Sequence, residues 1–287
     1  MHRKQILPPT WVIRHDLPAD GVTNMARDLA LLDTVTAGTA TWRWYAWDRP
    51  TVSFGRNERT TGWYTAASVA GAGLAVVRRP TGGRALLHAR ELTYSVTLPL
   101  PAQVGWRQAY DAINEVLLTV LREAGVPAVL SEGAAVPPDG LRCFDLPAPG
   151  EIAVHGRKLV GSAVWRQGAG YLQHGSLLIH DDQARLMEAR CDAPTADPWP
   201  PNAPPLAATL SALFPTLETN AIVARLTAAL PTVLRSLQVA DEIGEAPRDA
   251  TTSEAMSSET PANEMLSHEV LARHRVAMND PSWIWRR

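Results

Sequence analysis

Apolar positions along this chain switch between a period near 3.6 and a period near 2, the mark of a mixed helix and strand protein. Residues 24–32 (NMARDLALL) place Met25, Leu29 and Leu32 on one helical face, just after a turn at Asp20-Gly21. The runs TWRWYAWD and TVSFGR are aromatic and β-branched with Pro50 between them, and they predict two strands. LAVVRR and LTYSVTL predict a further strand pair flanking a glycine-containing loop. Between Trp106 and Glu123, the residues Ile113, Val116, Leu117, Val120 and Leu121 recur at helical spacing, and Gly125 stands where a helix C-cap belongs. After a Pro/Gly-rich loop at 137–150 come three strand-like runs, EIAVH, KLVGSAV and GYLQHGSLLI.

Beyond these runs the pattern loosens. Residues 194–205 (PTADPWPPNAPP) are too rich in proline for regular structure and predict an exposed loop. Residues 221–237 predict a helix interrupted or restarted near Pro231. The stretch 241–263 holds almost no large apolar residue and reads as a flexible linker or insertion. Residues 264–287 predict a short amphipathic helix ending in an aromatic plug. The organisation expected is an α+β catalytic domain over 1–240, the linker over 241–263, and the C-terminal helix and tail; no internal repeat is evident.

Composition narrows the function class. Hydrophobic content of 46% and charged content of 20% are ordinary for a globular protein, and a net charge of -2 lacks the global basicity of a nucleic-acid binder. Pro8 and Pro9 break the opening apolar run, and no stretch reaches the roughly 20 apolar residues that span a bilayer. A cytoplasmic protein with neither nucleic acid nor membrane as partner is expected. The two cysteines, Cys143 and Cys191, have neither metal-ligand nor disulfide-framework spacing and read as reduced thiols. Of 27 basic residues 25 are Arg, and only Lys4 and Lys158 are Lys. A lysine inside a folded segment of such a chain raises the question of what guanidinium could not do there, since a compact amine shifts its pKa and hands on a proton.

Two segments concentrate candidate chemistry. In RRPTGGRALLHARELTYS, residues 78–95, Gly82-Gly83 lets backbone approach a ligand closely, with Arg78, Arg79 and Arg84 beside it. The dipeptide alone also fits a plain hairpin loop with solvated arginines. His88, and His174 further on, fit structural hydrogen bonding as well as catalysis, and neither serves as a base without a neighbour. In CFDLPAPGEIAVHGRKLVGSA, residues 143–163, a cysteine in a Pro/Gly-rich loop can sit at the mouth of a pocket, where nearby positive charge raises its thiolate fraction. Taken alone, Cys143 also fits a buried small hydrophobe, and Lys158 an edge lysine.

Together with NMARDLALL, TVSFGRNE and QHGSLLI, these segments resemble, in order and rough spacing over about residues 10–180, the family of lipoate-protein ligases, octanoyltransferases and biotin ligases. The resemblance implies an α+β fold with a central mixed sheet flanked by helices, in which the glycine loop and the lysine-bearing strand embrace an acyl chain. TGGR, with Arg84 in place of a third glycine, and a cysteine upstream of the lysine motif look like the octanoyltransferase branch; Val164 departs from the glutamine that relatives often carry.

The reaction implied moves an octanoyl group from octanoyl-acyl carrier protein to a lysine of a lipoyl domain, such as glycine cleavage H protein or 2-oxoacid dehydrogenase E2. Cys143 would carry the acyl group as a thioester, with Lys158 polarising the carbonyl or shuttling a proton. Arg78, Arg79, Thr81, Gly82, Gly83, Arg84, His88, Gly161, Ser162 and His174 would bind substrate, with no metal and no cofactor. The three arginines would steer an acidic carrier protein, and apolar residues of TVSF and LTYSV would line the acyl tunnel. Rival readings are an amidotransferase between lipoyl domains, an ATP-dependent lipoate ligase and a carrier-protein-binding module with a dead site.

Overall fold

In the computed structural model, which describes residues 6–133, 147–191, 207–244 and 267–286, the chain runs as follows. It starts with β1 (Thr10–His15), α1 (Gly21–Asp33), β2 (Thr39–Tyr45), β3 (Thr51–Phe54), α2 (Ala66–Gly71) and β4 (Ala75–Arg78). Then come β5 (Leu86–His88), β6 (Glu91–Pro99), α3 (Trp106–Glu123), β7 (Val129–Leu130), β8 (Ile152–Val154), β9 (Arg157–Lys158), β10 (Val160–Gln167) and β11 (Gly170–Leu178). The remainder is helical: α4 (Arg185–Glu188), α5 (Leu210–Leu213), α6 (Thr219–Gly244), α7 (His268–Met278) and α8 (Pro281–Ile284).

The main sheet has the order β1-β2-β6-β11-β10. Its β1–β2 pair is parallel and the other pairs are antiparallel, so the mixed sheet expected from the family resemblance is present. Two three-stranded sheets, β4-β3-β5 and β7-β8-β9, stand beside it. Strand alternation gives the main sheet two unlike faces. Trp42, Trp44, Tyr94, Val96, Tyr171 and Leu177 turn to one side, where α3 and α6 cover them. On α3 the contacts are the residues its period marked, Ile113, Val116, Leu117, Val120 and Leu121. The other face carries Arg43, Tyr45, Thr93, His174 and Ser176 toward α1, and this polar face builds the site.

Several elements differ from the pattern-based expectation. Helix α1 begins at Gly21 rather than Asn24, because the Asp20 carboxylate accepts the Thr23 backbone N–H at 2.8 Å and caps the first turn ahead of the apolar period. The strands flanking the glycine loop do not pair: β4 lies parallel to β3, and β6 lies between β2 and β11. The partner of β3 on its other side is β5, three residues too short to give an alternation signal. Helix α6 runs through Pro231 without restarting, since Ile222, Leu226, Leu230, Val233 and Leu234 hold both halves against the core. It reaches Gly244, so the first residues of the expected 241–263 linker are helical. The rest of that segment, the loop at 194–205, and Cys143 lie outside the described residues.

The C-terminal helices pack back onto the front of the molecule. Helix α7 lies along α1 and α8 against β4. Trp285 meets Phe54 edge-on at 5.7 Å, and Trp283 Nε1 donates to the Arg78 carbonyl at 3.0 Å. No helix among the described residues is long and apolar enough to cross a membrane.

Candidate active site

Register, more than any single residue, assembles the site. One row across the main sheet runs Arg43, Ser95, His174, Ala163, and the next runs Tyr45, Thr93, Ser176, Gly161. Above these rows lies a partly open pocket with a mostly apolar lining. Its apolar wall comes from Met25, Tyr45, Trp47 and Leu86; Gly83, Gly161, Ala163 and Gly175 form its close backbone wall. The apolar residues of TVSF do not line it. Val52 and Phe54 pack with Tyr64, Val69 and Leu74, and of LTYSV only Thr93 faces the pocket, because Leu92, Tyr94 and Val96 alternate to the α3 side.

Backbone contacts hold the glycine loop in place. Gly83 has φ +96, and a Cβ placed on Gly55 would lie 1.8 Å from the Gly83 carbonyl oxygen, so glycine is required where the two loops meet. Arg79 threads beneath: its Nε donates to the Gly82 carbonyl at 3.0 Å, Nη1 to the Ser53 carbonyl at 2.9 Å and Nη2 to the Arg84 carbonyl at 2.7 Å. Arg78 donates to the carbonyls of Ile284, Gly55 and Glu58. Both guanidiniums are buried. This corrects the expectation that they steer a partner, since a charge covered by protein and saturated by carbonyls presents little field at the surface. Arg84 alone of the three is partly exposed.

Below the pocket lie two buried hydrogen-bond chains, each centred on a histidine. His174 Nδ1 is 3.0 Å from Asp28 Oδ2 and its Nε2 is 2.6 Å from Thr81 Oγ1. A carboxylate only accepts, so the proton is assigned to Nδ1, and Nε2 accepts the Thr81 hydroxyl. Asp28 also receives Arg43 Nη1 at 2.8 Å and Tyr45 OH at 3.2 Å, while Arg43 reaches Asp16 and Asn24. Burial pushes the Asp28 carboxyl up, but Arg43 and His174 outweigh it and hold it below the ordinary carboxylate range. Burial pushes the His174 imidazolium down, with Arg79 and His88 adding to the effect, and Asp28 only partly restores it. His174 is therefore neutral at pH 7.

The second chain places His88 Nδ1 at 2.7 Å from Glu91 Oε1 and Nε2 at 2.7 Å from Ser53 Oγ. Its ring stacks on Trp47 at 3.9 Å and 12°, and Trp47 Nε1 donates to Thr93 Oγ1 at 2.9 Å. Thr93 and Ser176 both donate to Glu91 Oε1, which closes the network.

Lys158 is buried, and its Nζ donates to Glu151 Oε1 at 2.8 Å; the other carboxylate oxygen accepts the Ala148 N–H at 2.8 Å. A buried ammonium is costly without such a partner, so the pair acts as a unit. Ser162 Oγ meets Tyr94 OH at 2.8 Å, and burial pushes that phenol up to about 12.

Of the residues singled out in the sequence, Arg79, Gly83, His88, Gly161, Ser162 and His174 line the pocket. Thr81 and Gly82 lie behind it within the same loop, bonded to His174 and Arg79. Arg78 faces the C-terminal helix, and Lys158 ends β9, two residues before the start of the strand that carries Gly161 and Ser162. Asp28, Met25, Tyr45, Trp47, Thr93, Glu91 and Ser176 were not marked by the sequence. A signal existed for two of them: Asn24 and Asp28 form a polar i, i+4 pair on an otherwise apolar helix, and Ser176 shares a strand face with His174. Among the described residues no group of three or more His, Cys, Asp or Glu side chains is placed to share a metal ion.

Comparison with known proteins gives the family and the fold. The model of the lipoyl protein ligase A/B catalytic domain matches residues 20–230. Octanoyltransferase LipM of Kyrpidia tusciae is 38% identical over 190 residues, covering 62% of this chain and 69% of its own. Octanoyltransferase LipM of Carboxydothermus hydrogenoformans is 37% identical over 182 residues, covering 62% and 68%. A solved bi-partite lipoate protein ligase from Thermoplasma acidophilum shares the fold, with TM-score 0.65 at 17% identity over 96% of each chain. The chain belongs to the lipoyl protein ligase A/B catalytic-domain family.

Proposed function

We propose that the protein is an octanoyltransferase of protein lipoylation. Cys143 attacks the thioester of octanoyl-acyl carrier protein, the carrier thiol leaves, and the octanoyl group rests on the enzyme as a thioester. The amine of a lysine on a lipoyl domain then attacks that thioester and forms an amide. The observation that carries this reading is a largely apolar pocket walled by the glycine loop and by the strand following Lys158, in a chain whose relatives are named octanoyltransferases. An eight-carbon chain buried there at about 0.8 kcal/mol per methylene gains several kcal/mol of binding. Lys158, held by Glu151, polarises the carbonyl, and backbone N–H groups of the glycine loop assist; losing one such donor costs about 3 kcal/mol in the barrier.

The test is intact mass after incubation with octanoyl-carrier protein in the absence of ATP. The expected result is a gain of one octanoyl group that is absent from Cys143→Ala. If no adduct forms and a lipoyl domain is labelled only when ATP and free acid are supplied, the protein is a ligase instead.

A further inference from the structure

Of the residues that line the pocket, Gly83 is exposed, Ser162 and Ala163 are half-buried and the others are buried, so the mouth opens between the glycine loop and β10. Four arginines gather at that mouth. Gly55 abuts Gly83, which puts Arg56 and Arg84 at neighbouring loop positions, and the Arg56 backbone N–H donates to the Thr81 carbonyl at 2.8 Å. The exposed Arg59 follows Glu58, whose carbonyl accepts Arg78 Nη1 at 2.8 Å. The C-terminal tail brings the exposed Arg286, whose carbonyl accepts Arg78 Nη2 at 3.5 Å. Burial, and then the nearby Arg286 guanidinium, lower the pKa of Arg56, so these two cations face each other at short range.

A chain of net charge -2 has carboxylates to spare, yet none among the described residues forms an ion pair with Arg56, Arg59, Arg84 or Arg286. Glu58, in the same loop, is turned inward: its Oε2 accepts the Gly55 N–H at 3.1 Å and its Oε1 the Ala85 N–H at 2.8 Å. Arg56 is held in place by aromatic faces, 3.9 Å from the Trp165 ring and 5.3 Å from that of Trp283, and Trp165 shares the strand face of the pocket-lining Ala163. Like charges kept together at a pocket mouth without a carboxylate repel one another, and an anionic partner relieves that repulsion. We propose that this arginine rim, completed by the C-terminal tail, is the docking patch for the acyl donor, an acidic carrier protein. Such a donor presents its acyl group on an arm joined by a phosphodiester, and the guanidinium fork suits phosphate and carboxylate alike. The acceptor, in contrast, approaches with a lysine, which the same rim repels.

The patch rests on the carrier-protein donor proposed above, and direct binding tests the two separately. The probe is a carrier protein bearing octanoyl through an amide, which cannot react, titrated against the full chain by fluorescence anisotropy from about 50 mM to about 300 mM salt. Wild-type affinity is expected to fall as salt rises. Arg59→Glu and Arg286→Glu, both exposed, each weaken binding about 10-fold at low salt and flatten the salt dependence, mainly through slower association. Arg107→Glu, an exposed arginine at the start of α3, changes neither. Unaltered thermal midpoints in the two rim variants separate lost charge from a loosened tail. The patch is overturned if the rim variants bind like wild type, if Arg107→Glu loses as much as they do, or if they weaken binding of a lipoyl domain more than that of the carrier protein. A wild-type protein that binds no carrier protein at about 50 mM salt overturns the donor reading itself, so the two failures are told apart.

Discussion

His174 shows what burial does to one residue. In the unfolded chain its imidazole titrates near the ordinary histidine value of about 6.5. In the folded molecule burial lowers that value despite Asp28, so on acidification the unfolded chain takes up a proton that the folded one resists. Its contribution to stability is complete above about pH 6.5 and declines as the pH falls from there toward the lower folded value. Thermal denaturation from about pH 7.5 to about pH 5 is expected to show a falling midpoint, with a shallower fall in His174→Gln; equal slopes would mean that His174 is not a source of the acid sensitivity. The sequence marked this residue and could not supply its neighbours. Asp28 lies 146 positions away, and no local pattern joins the two. Lys158 was legible for a different reason: in a chain that uses arginine almost throughout, a single internal lysine stands out, and its partner Glu151 lies in the same quoted segment.

At the scale of elements, the glycine loop owes its shape to the loop after β3 as much as to its own glycines. Gly55 abuts Gly83 so closely that a methyl group cannot enter without moving backbone. Gly55→Ala is expected to cost about 3 kcal/mol in urea denaturation and to impair acyl loading, whereas Gly71→Ala, with nothing within 4 Å of its new carbon, stays within about 0.5 kcal/mol of wild type. A loss at Gly71 equal to that at Gly55 would refute the steric account. The long helix α3 was read to its ends, because an unbroken amphipathic period and a terminal glycine are local signals. The pairing of β4 with β3 was missed, since a parallel neighbour and a three-residue strand leave no mark on the alternation that identifies strands.

For the whole molecule, the last helices bind the front of the catalytic body. Arg78 donates to the Ile284 carbonyl, Trp283 donates back to Arg78, and the Arg56 guanidinium lies over Trp165 at 3.9 Å and over Trp283 at 5.3 Å. Trp283→Ala is expected to lower the unfolding free energy by about 3 kcal/mol, since it removes a half-buried indole and a hydrogen bond that tethers the strand leading into the glycine loop. An unfolding midpoint unchanged in urea would show that the tether contributes nothing. Sequence reading gave this tail an aromatic plug without a socket, because the socket is made by residues some 200 positions earlier.

What the sequence determined alone is what local chemistry can carry: the helical period of α3, the mixed class of the fold, and motifs whose order points to acyl transfer. Only the tertiary structure decided the roles inside those motifs. It turned two supposed steering arginines into backbone ties, gave each pocket histidine a buried carboxylate partner, and set Lys158 against Glu151. The reason is physical. Period and capping are read within one or two turns of chain, whereas hydrogen-bond partners in a buried site are set by strand register and by the desolvation that forces every covered charge to find a mate.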